Sequence, residues 1–87
     1  MAYAIKIKKS ALKTIKRVEK SVKVKIWTAI SELSDDPRPP GCVKMSGAED
    51  LWRIRVGDWR IVYQIRDREM VILVVRVGHR REVYRQR

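Results

Sequence analysis

The apolar residues of this chain change their spacing once. The change falls at a run that no helix or strand can cross, Asp35-Asp36-Pro37-Arg38-Pro39-Pro40-Gly41. Proline lacks the amide hydrogen of the helix ladder and restricts the residue before it, so this run ends whatever precedes it. Ahead of it, Leu12, Ile15, Val18 and Val22 recur at helical spacing, and so do Val22, Ile26, Ile30 and Leu33, flanked by Trp27 and Ala29. Ser10 is placed to cap the first helix. No Gly or Pro interrupts the chain between Met1 and Ser34, so the turn between the two helices is expected within Glu19–Val22. Before both helices, Tyr3, Ile5 and Ile7 alternate with Ala4, Lys6 and Lys8, the period of a half-buried strand.

Beyond the proline run the period is two. Cys42 to Met45 reads as a short strand. Trp52, Ile54 and Val56 alternate with Arg53 and Arg55, and Trp59, Ile61, Tyr63 and Ile65 alternate with Arg60, Val62 and Gln64. Gly57-Asp58 between them is a two-residue hairpin signal with Gly leading, as a type II′ turn requires. Arg66 to Glu69 makes the next turn. Met70 to Val77 is apolar on both faces, as in a strand within a sheet, and Gly78 is expected to end it before a short polar tail. The order predicts an α+β fold: one small domain over residues 1–87, with two N-terminal helices on one face of a mostly antiparallel sheet of about four strands.

Length and composition agree with that reading. With 87 residues the chain suffices for one domain, and such a chain buries only about 60% of the surface it exposes when unfolded. A single Cys42 excludes an intramolecular disulfide, and with a single His79 it rules out a Cys/His zinc site, so no metal and no cofactor are expected. The longest apolar run, Met70 to Val75, is far short of a membrane span, and lysines break up the N-terminal segment where a signal peptide would lie. The expectation is a soluble, cytoplasmic, basic domain with no membrane partner.

The net charge is +11, which favours a polyanionic partner such as nucleic acid. All nine lysines lie at or before position 44, whereas eleven of the twelve arginines lie at or after position 38. Lysine is a compact hydrated charge, and arginine a planar fork suited to phosphate, so the basic residues of the second half read as a site. A two-residue turn at Gly57-Asp58 sets Trp52 opposite Tyr63, Ile54 opposite Ile61 and Val56 opposite Trp59, an apolar face for the helices. On the other face Arg53 meets Val62, and Arg55 meets Arg60 with no acid between them. Like charges opposed in a sheet cost up to about 1 kcal/mol, which a bound phosphate would reverse. Arg76, Arg80 and Arg81 are candidates for the same face. His79 is the one side chain that ordinarily titrates near neutrality, and Tyr84 can stack on a base. No phosphate loop, zinc motif or nucleophile–base pair is present.

Five stretches together resemble one family: Ala11-Leu12-Lys13, Asp36-Pro37-Arg38-Pro39, Lys44-Met45-Ser46-Gly47, the hairpin from Trp52 to Tyr63, and Val77-Gly78-His79-Arg80-Arg81-Glu82-Val83-Tyr84. They are similar to the RelE/ParE superfamily of toxins from type II toxin–antitoxin modules, over nearly the whole chain. The RelE branch implies a ribosome-dependent endoribonuclease that cuts A-site mRNA by attack of the ribose 2′-hydroxyl on the adjacent phosphate. Carried over by position, its catalytic residues fall on Arg53, Arg55, Arg60, Arg80 and Tyr84. The RelE pattern has lysine where this chain has Arg53 and Arg55, and assigns lysine there to general-base work that arginine cannot do at neutral pH. His79 or Tyr84 then takes the proton, or catalysis proceeds by charge stabilisation and positioning. The partners implied are the ribosome, mRNA and a cognate antitoxin with an acidic or amphipathic segment. The ParE branch, which inhibits DNA gyrase and cleaves no RNA, is the alternative, and an inactive nucleic-acid-binding module is a third reading.

Overall fold

The computed structural model describes residues 2–45, 47 and 50–79. Strand β1 (Ala4–Ile7) leads into helices α1 (Lys9–Arg17) and α2 (Lys20–Leu33). Strands β2 (Val43–Lys44), β3 (Leu51–Val56), β4 (Trp59–Arg66) and β5 (Val71–His79) follow. The sheet has five strands in the order β1-β5-β4-β3-β2, one more than the sequence suggested, because the two-residue β2 pairs with β3. Every pairing is antiparallel except that of β1 with β5. The chain therefore crosses the sheet once through the helices and returns as a meander.

Tertiary contacts mark the ends of both helices. Ser10 does not cap α1; Lys8 occupies the cap position and contributes no side-chain hydrogen bond. Its amide donates to Val74 O at 2.9 Å, which continues the β1–β5 pairing and holds residue 8 extended, so the helix begins directly after it. The break between the helices falls on Val18 and Glu19, both extended, and so begins one residue ahead of the expected Glu19–Val22 region. There the partly buried Val18 packs against the core. At the far end of α2, Ser34 Oγ donates to Tyr3 O at 2.7 Å while Tyr3 N donates to Ser34 O at 2.8 Å. This pair of bonds fastens the start of β1 to the end of the helical layer.

The core lies between the helices and one face of the sheet. Ala11, Ile15, Ile26, Ile30 and Leu33 meet Ile54, Ile61, Tyr63, Ile65, Ile72, Val74 and Val77 there. Each fully buried aliphatic contributes about 1.5–3 kcal/mol of hydrophobic stabilisation. Tyr63 is fully buried, and its hydroxyl donates to Pro37 O at 2.7 Å, so the proline run is pinned to β4. Burial raises the Tyr63 pKa above that of ordinary tyrosine and keeps the hydroxyl a donor. Arg38, from the same run, stacks 5.1 Å over the Trp52 ring and bonds Asp67 Oδ2 at 3.0 Å, and Tyr3 Oη donates to Asp67 Oδ1 at 2.7 Å. Among the described residues no helix is long and apolar enough to cross a membrane.

Two consequences are measurable. Ile61→Ala should cost about 2–5 kcal/mol in urea unfolding, and Tyr63→Phe about 1–3 kcal/mol, since Pro37 O then loses its donor. The hydrogen bonds from Arg38 and then Tyr3 hold the Asp67 carboxyl below its usual range. A depressed carboxylate stabilises the fold above its unfolded pKa of about 3.9 and loses that contribution as pH falls further. Asp67→Asn should therefore show a smaller loss of stability than wild type on acidification from neutrality through that region, followed by thermal melting across pH.

Candidate functional site

The hairpin register is the one the turn dictates. Gly57 has φ of 61°, and Asp58 is not among the non-glycine residues at positive φ, the combination that a type II′ turn needs. Val56 faces Trp59, Arg55 faces Arg60, Ile54 faces Ile61, Arg53 faces Val62 and Trp52 faces Tyr63. On the face away from the helices the side chains therefore stand in rows. One row is Arg53, Val62 and Arg76; the next is Arg55, Arg60 and Gly78, which adds no side chain.

Arg76 reaches its row through an irregularity that the sequence reading did not foresee. Val62 pairs with Arg76, yet the next residue, Tyr63, pairs with Val74, so Val75 is an extra residue on β5. Ile72, Val74 and Val77 are buried in the core, spaced by two and then by three. Without the bulge, Arg76 would follow Val74 into the core and Val77 would face outward. A bulge that re-aims side chains in this way is a recurrent device beside functional sites. The signal was present in the sequence, since a guanidinium two residues after a buried valine has no place in a regular strand.

The opposed arginines differ in environment. Arg55 is exposed and makes no hydrogen bond or ion pair with a described residue. Arg60 is only 4% exposed, and its Nη1 donates to Trp59 O at 3.1 Å and to Gly57 O at 3.3 Å. Its guanidinium is folded back onto the carbonyls of the turn. Arg53 is half-buried. One arginine of the pair is thus held by the backbone and the other extends into solvent.

His79 is placed elsewhere. It pairs with Trp59, and the two rings meet edge to face at 5.7 Å and 82°. By register it shares the face of Trp59 and Ile61, across the sheet from Arg55 and Arg60. Arg80 and Tyr84, the other residues that the family pattern singles out, lie outside the described residues, as does Arg81. Arg38, stacked on Trp52, is a further basic group that the sequence reading did not connect to the hairpin. Among the described residues no group of three or more His, Cys, Asp or Glu is placed to hold a metal ion.

Comparison with known proteins agrees with this architecture. Residues 5–84 match the family model of the ParE toxin of type II toxin–antitoxin systems. The mRNA interferase toxin RelE of Escherichia coli K12 is 31% identical over 88 residues, spanning 97% of this chain and 92% of that one. The archaeal RelE–RelB complex of Pyrococcus horikoshii OT3 superposes with a TM-score of 0.82 at 27% identity, covering 92% of this chain and 97% of that one. The intact RelBE toxin–antitoxin complex of E. coli gives 0.80 at 28% identity, covering 90% and 96%.

The asymmetry of the arginine pair can be measured in the free protein. Arg55→Ala should leave stability unchanged or raise it by up to about 1 kcal/mol, as the repulsion across the hairpin is lost. Arg60→Ala should lower it by about 1.5–3 kcal/mol, because Gly57 O and Trp59 O lose a charged donor. Chemical denaturation of the two variants separates these outcomes.

Proposed function

Because the chain belongs to the RelE-like branch of the RelE/ParE superfamily, the toxins of type II toxin–antitoxin systems, we propose that it is a ribosome-dependent mRNA endonuclease acting in the cytoplasm. The observation that carries this reading is the opposed pair Arg55 and Arg60, with Arg60 anchored on the hairpin carbonyls. In the reaction the 2′-hydroxyl of the upstream ribose attacks the adjacent phosphate and gives up its proton to water. The bond from phosphorus to the 5′-oxygen breaks and that oxygen takes a proton from water, leaving a 2′,3′-cyclic phosphate and a 5′-hydroxyl. The phosphorane between them gains negative charge, and a guanidinium already fixed in place stabilises it without reorganising at the moment of reaction. Arg53 and Arg55 grip the flanking phosphates, Arg80 adds positive charge at the reacting centre, and Tyr84 stacks on a nucleotide to hold it in line.

Arginine is too weak an acid to act as the base at neutral pH, and His79 lies against Trp59 on the other face. Catalysis is therefore assigned to charge stabilisation and to the in-line geometry that the ribosome imposes on the codon. Orientation of this kind supplies about 7–11 kcal/mol of a barrier, enough to offset the want of a strong base. The chain alone is accordingly a poor nuclease. Its charge of +11 also suits an antitoxin with an acidic or amphipathic segment, and the RelE relatives of known structure include complexes with RelB.

In vitro translation with primer extension across the message tests the reading. Wild type should cut mRNA only on the ribosome. Arg60→Gln should slow the cleavage step by about a hundredfold or more, with ribosome association nearly unchanged. His79→Gln should leave cleavage little affected, and a comparable loss there would return the base role to His79. The match to a ParE family model favours gyrase inhibition as the second reading. Intact ribosome-bound message together with blocked DNA supercoiling would establish it.

A further inference from the structure

Strand β1 covers β5 only as far as Val74, so among the described residues no strand pairs with the β1-side edge of β5 from Val75 onward. The first turns of α1 run beside that edge. Between them lies a cleft of about 150 Å³ lined by Ser10, Ala11 and Thr14 from the helix and by Val75, Arg76 and Val77 from the bulged segment. Among the described residues no carboxylate lines it. Arg76 forms one wall and makes no hydrogen bond or ion pair with a described residue, and its Nε is buried without a partner. A buried donor left in this state is costly and calls for an explanation.

Two further features share the sign of Arg76, and a third adds a neutral donor. The first turn of α1 has no acidic residue, and Lys8 gives the helix no side-chain cap, so the positive end of its dipole is uncompensated. Ser10, freed from the capping role, keeps its hydroxyl available, whereas Thr14 spends its own on Ser10 O at 3.2 Å. One residue back along the helix, Lys9 and Lys13 form an exposed basic stripe beside Ser10 and Thr14.

We propose that this cleft is a phosphate subsite, which receives a backbone phosphate of the RNA strand beyond the nucleotides held over Arg55 and Arg60. Arg76 supplies the cation and Ser10 a neutral hydrogen bond. The bulge gives Arg76 both positions at once, in line with Arg53 across Val62 and at the mouth of the cleft. A strand crossing the arginine face would leave it over the β5 edge and meet the start of α1. The subsite adds affinity and direction to the bound strand and takes no part in bond breaking, so Arg76 is a positioning residue. The proposal rests on the nuclease reading for its ligand, yet its chemistry is testable without RNA cleavage.

Inorganic phosphate is the first probe, with the backbone amide resonances of Ser10, Ala11, Thr14 and Val77 as the readout. Saturable shifts are expected in wild type and are expected to vanish in Arg76→Gln. A second variant, Ser10→Glu, places a carboxylate in the cleft at a helix position that favours an acid, so it should fold and should also abolish the response. The second probe is single-stranded RNA, in a length confined to the arginine face and in a longer one. Arg76→Gln should weaken the longer strand about tenfold, lower its salt slope by about 0.7 and leave the shorter one unchanged. On the ribosome it should raise the toxin concentration that gives half-maximal cleavage. No saturable phosphate shift, or an equal loss for both lengths, overturns the subsite. So does a response to an extended peptide but not to phosphate, which would assign the open edge to strand addition. A subsite that binds phosphate in a protein that cuts no message would leave the cleft standing and remove the nuclease reading.

Discussion

The two-residue turn at Gly57-Asp58 sets the parity of β3 and β4, and nearly every functional statement about this molecule depends on that parity. With Val56 facing Trp59, the isoleucines at 54 and 61 point to the helices while the arginines at 55 and 60 point away. A slip of one residue would exchange the two sets. It would put guanidinium groups under α2 and isoleucines in water, a double penalty far larger than the like-charge repulsion that the native register accepts. The core and the basic face are therefore alternatives enforced by one pattern, and the repulsion between Arg55 and Arg60 is the smaller of the two costs.

Strand β5 meets the same requirement in a different way. Its apolar residues cannot all be served by strict alternation, because Ile72 and Val74 belong to the core and so does Val77. The extra residue at Val75 resolves the conflict by changing parity within the strand. The first half of β5 keeps register with β1, and the second half aligns Arg76 with Arg53. The same change of direction coincides with the end of β1 at Ile7, so the bulge sits where the strand has already lost its outer neighbour. A distortion there costs no hydrogen bonds on that side.

Much of this was legible in the sequence, and what was not has identifiable causes. The two helices, the hairpin and its register follow from periodicity and a turn of two residues, both local signals. The parallel pairing of β1 with β5 and the bulge are non-local, since they depend on which strand arrives beside which. Ser10 failed as a cap because the amide of Lys8 was already taken by Val74, a contact between residues far apart in the chain. For the site, sequence and structure agree that Arg55 and Arg60 are opposed, but burial could not be read from alternation. Arg60 sits on a sheet face that pattern alone marks as outward, and it is nonetheless 4% exposed. His79 follows Gly78 in a stretch that reads as a strand end. Continuation of β5 by one more residue is what sends it to the Trp59 side.

The buried state of Arg60 also bears on how a small domain keeps a concentrated charge. A guanidinium out of water needs acceptors, and here the turn supplies two of them, Gly57 O and Trp59 O. These are carbonyls at the tip of the hairpin, so the Arg60 side chain is held by the same element that sets the register. A neutral carbonyl accepts from a guanidinium without cancelling its charge, whereas a carboxylate neutralises it and competes with phosphate. Where the fold needs an ion pair for structure, it places one apart from this face, between Arg38 and Asp67 at the junction of the proline run and the β4–β5 turn. The Arg38–Asp67 pair ties the proline run to the β4–β5 turn, while the dipoles of two hairpin carbonyls help to hold Arg60 against the tip of its own hairpin.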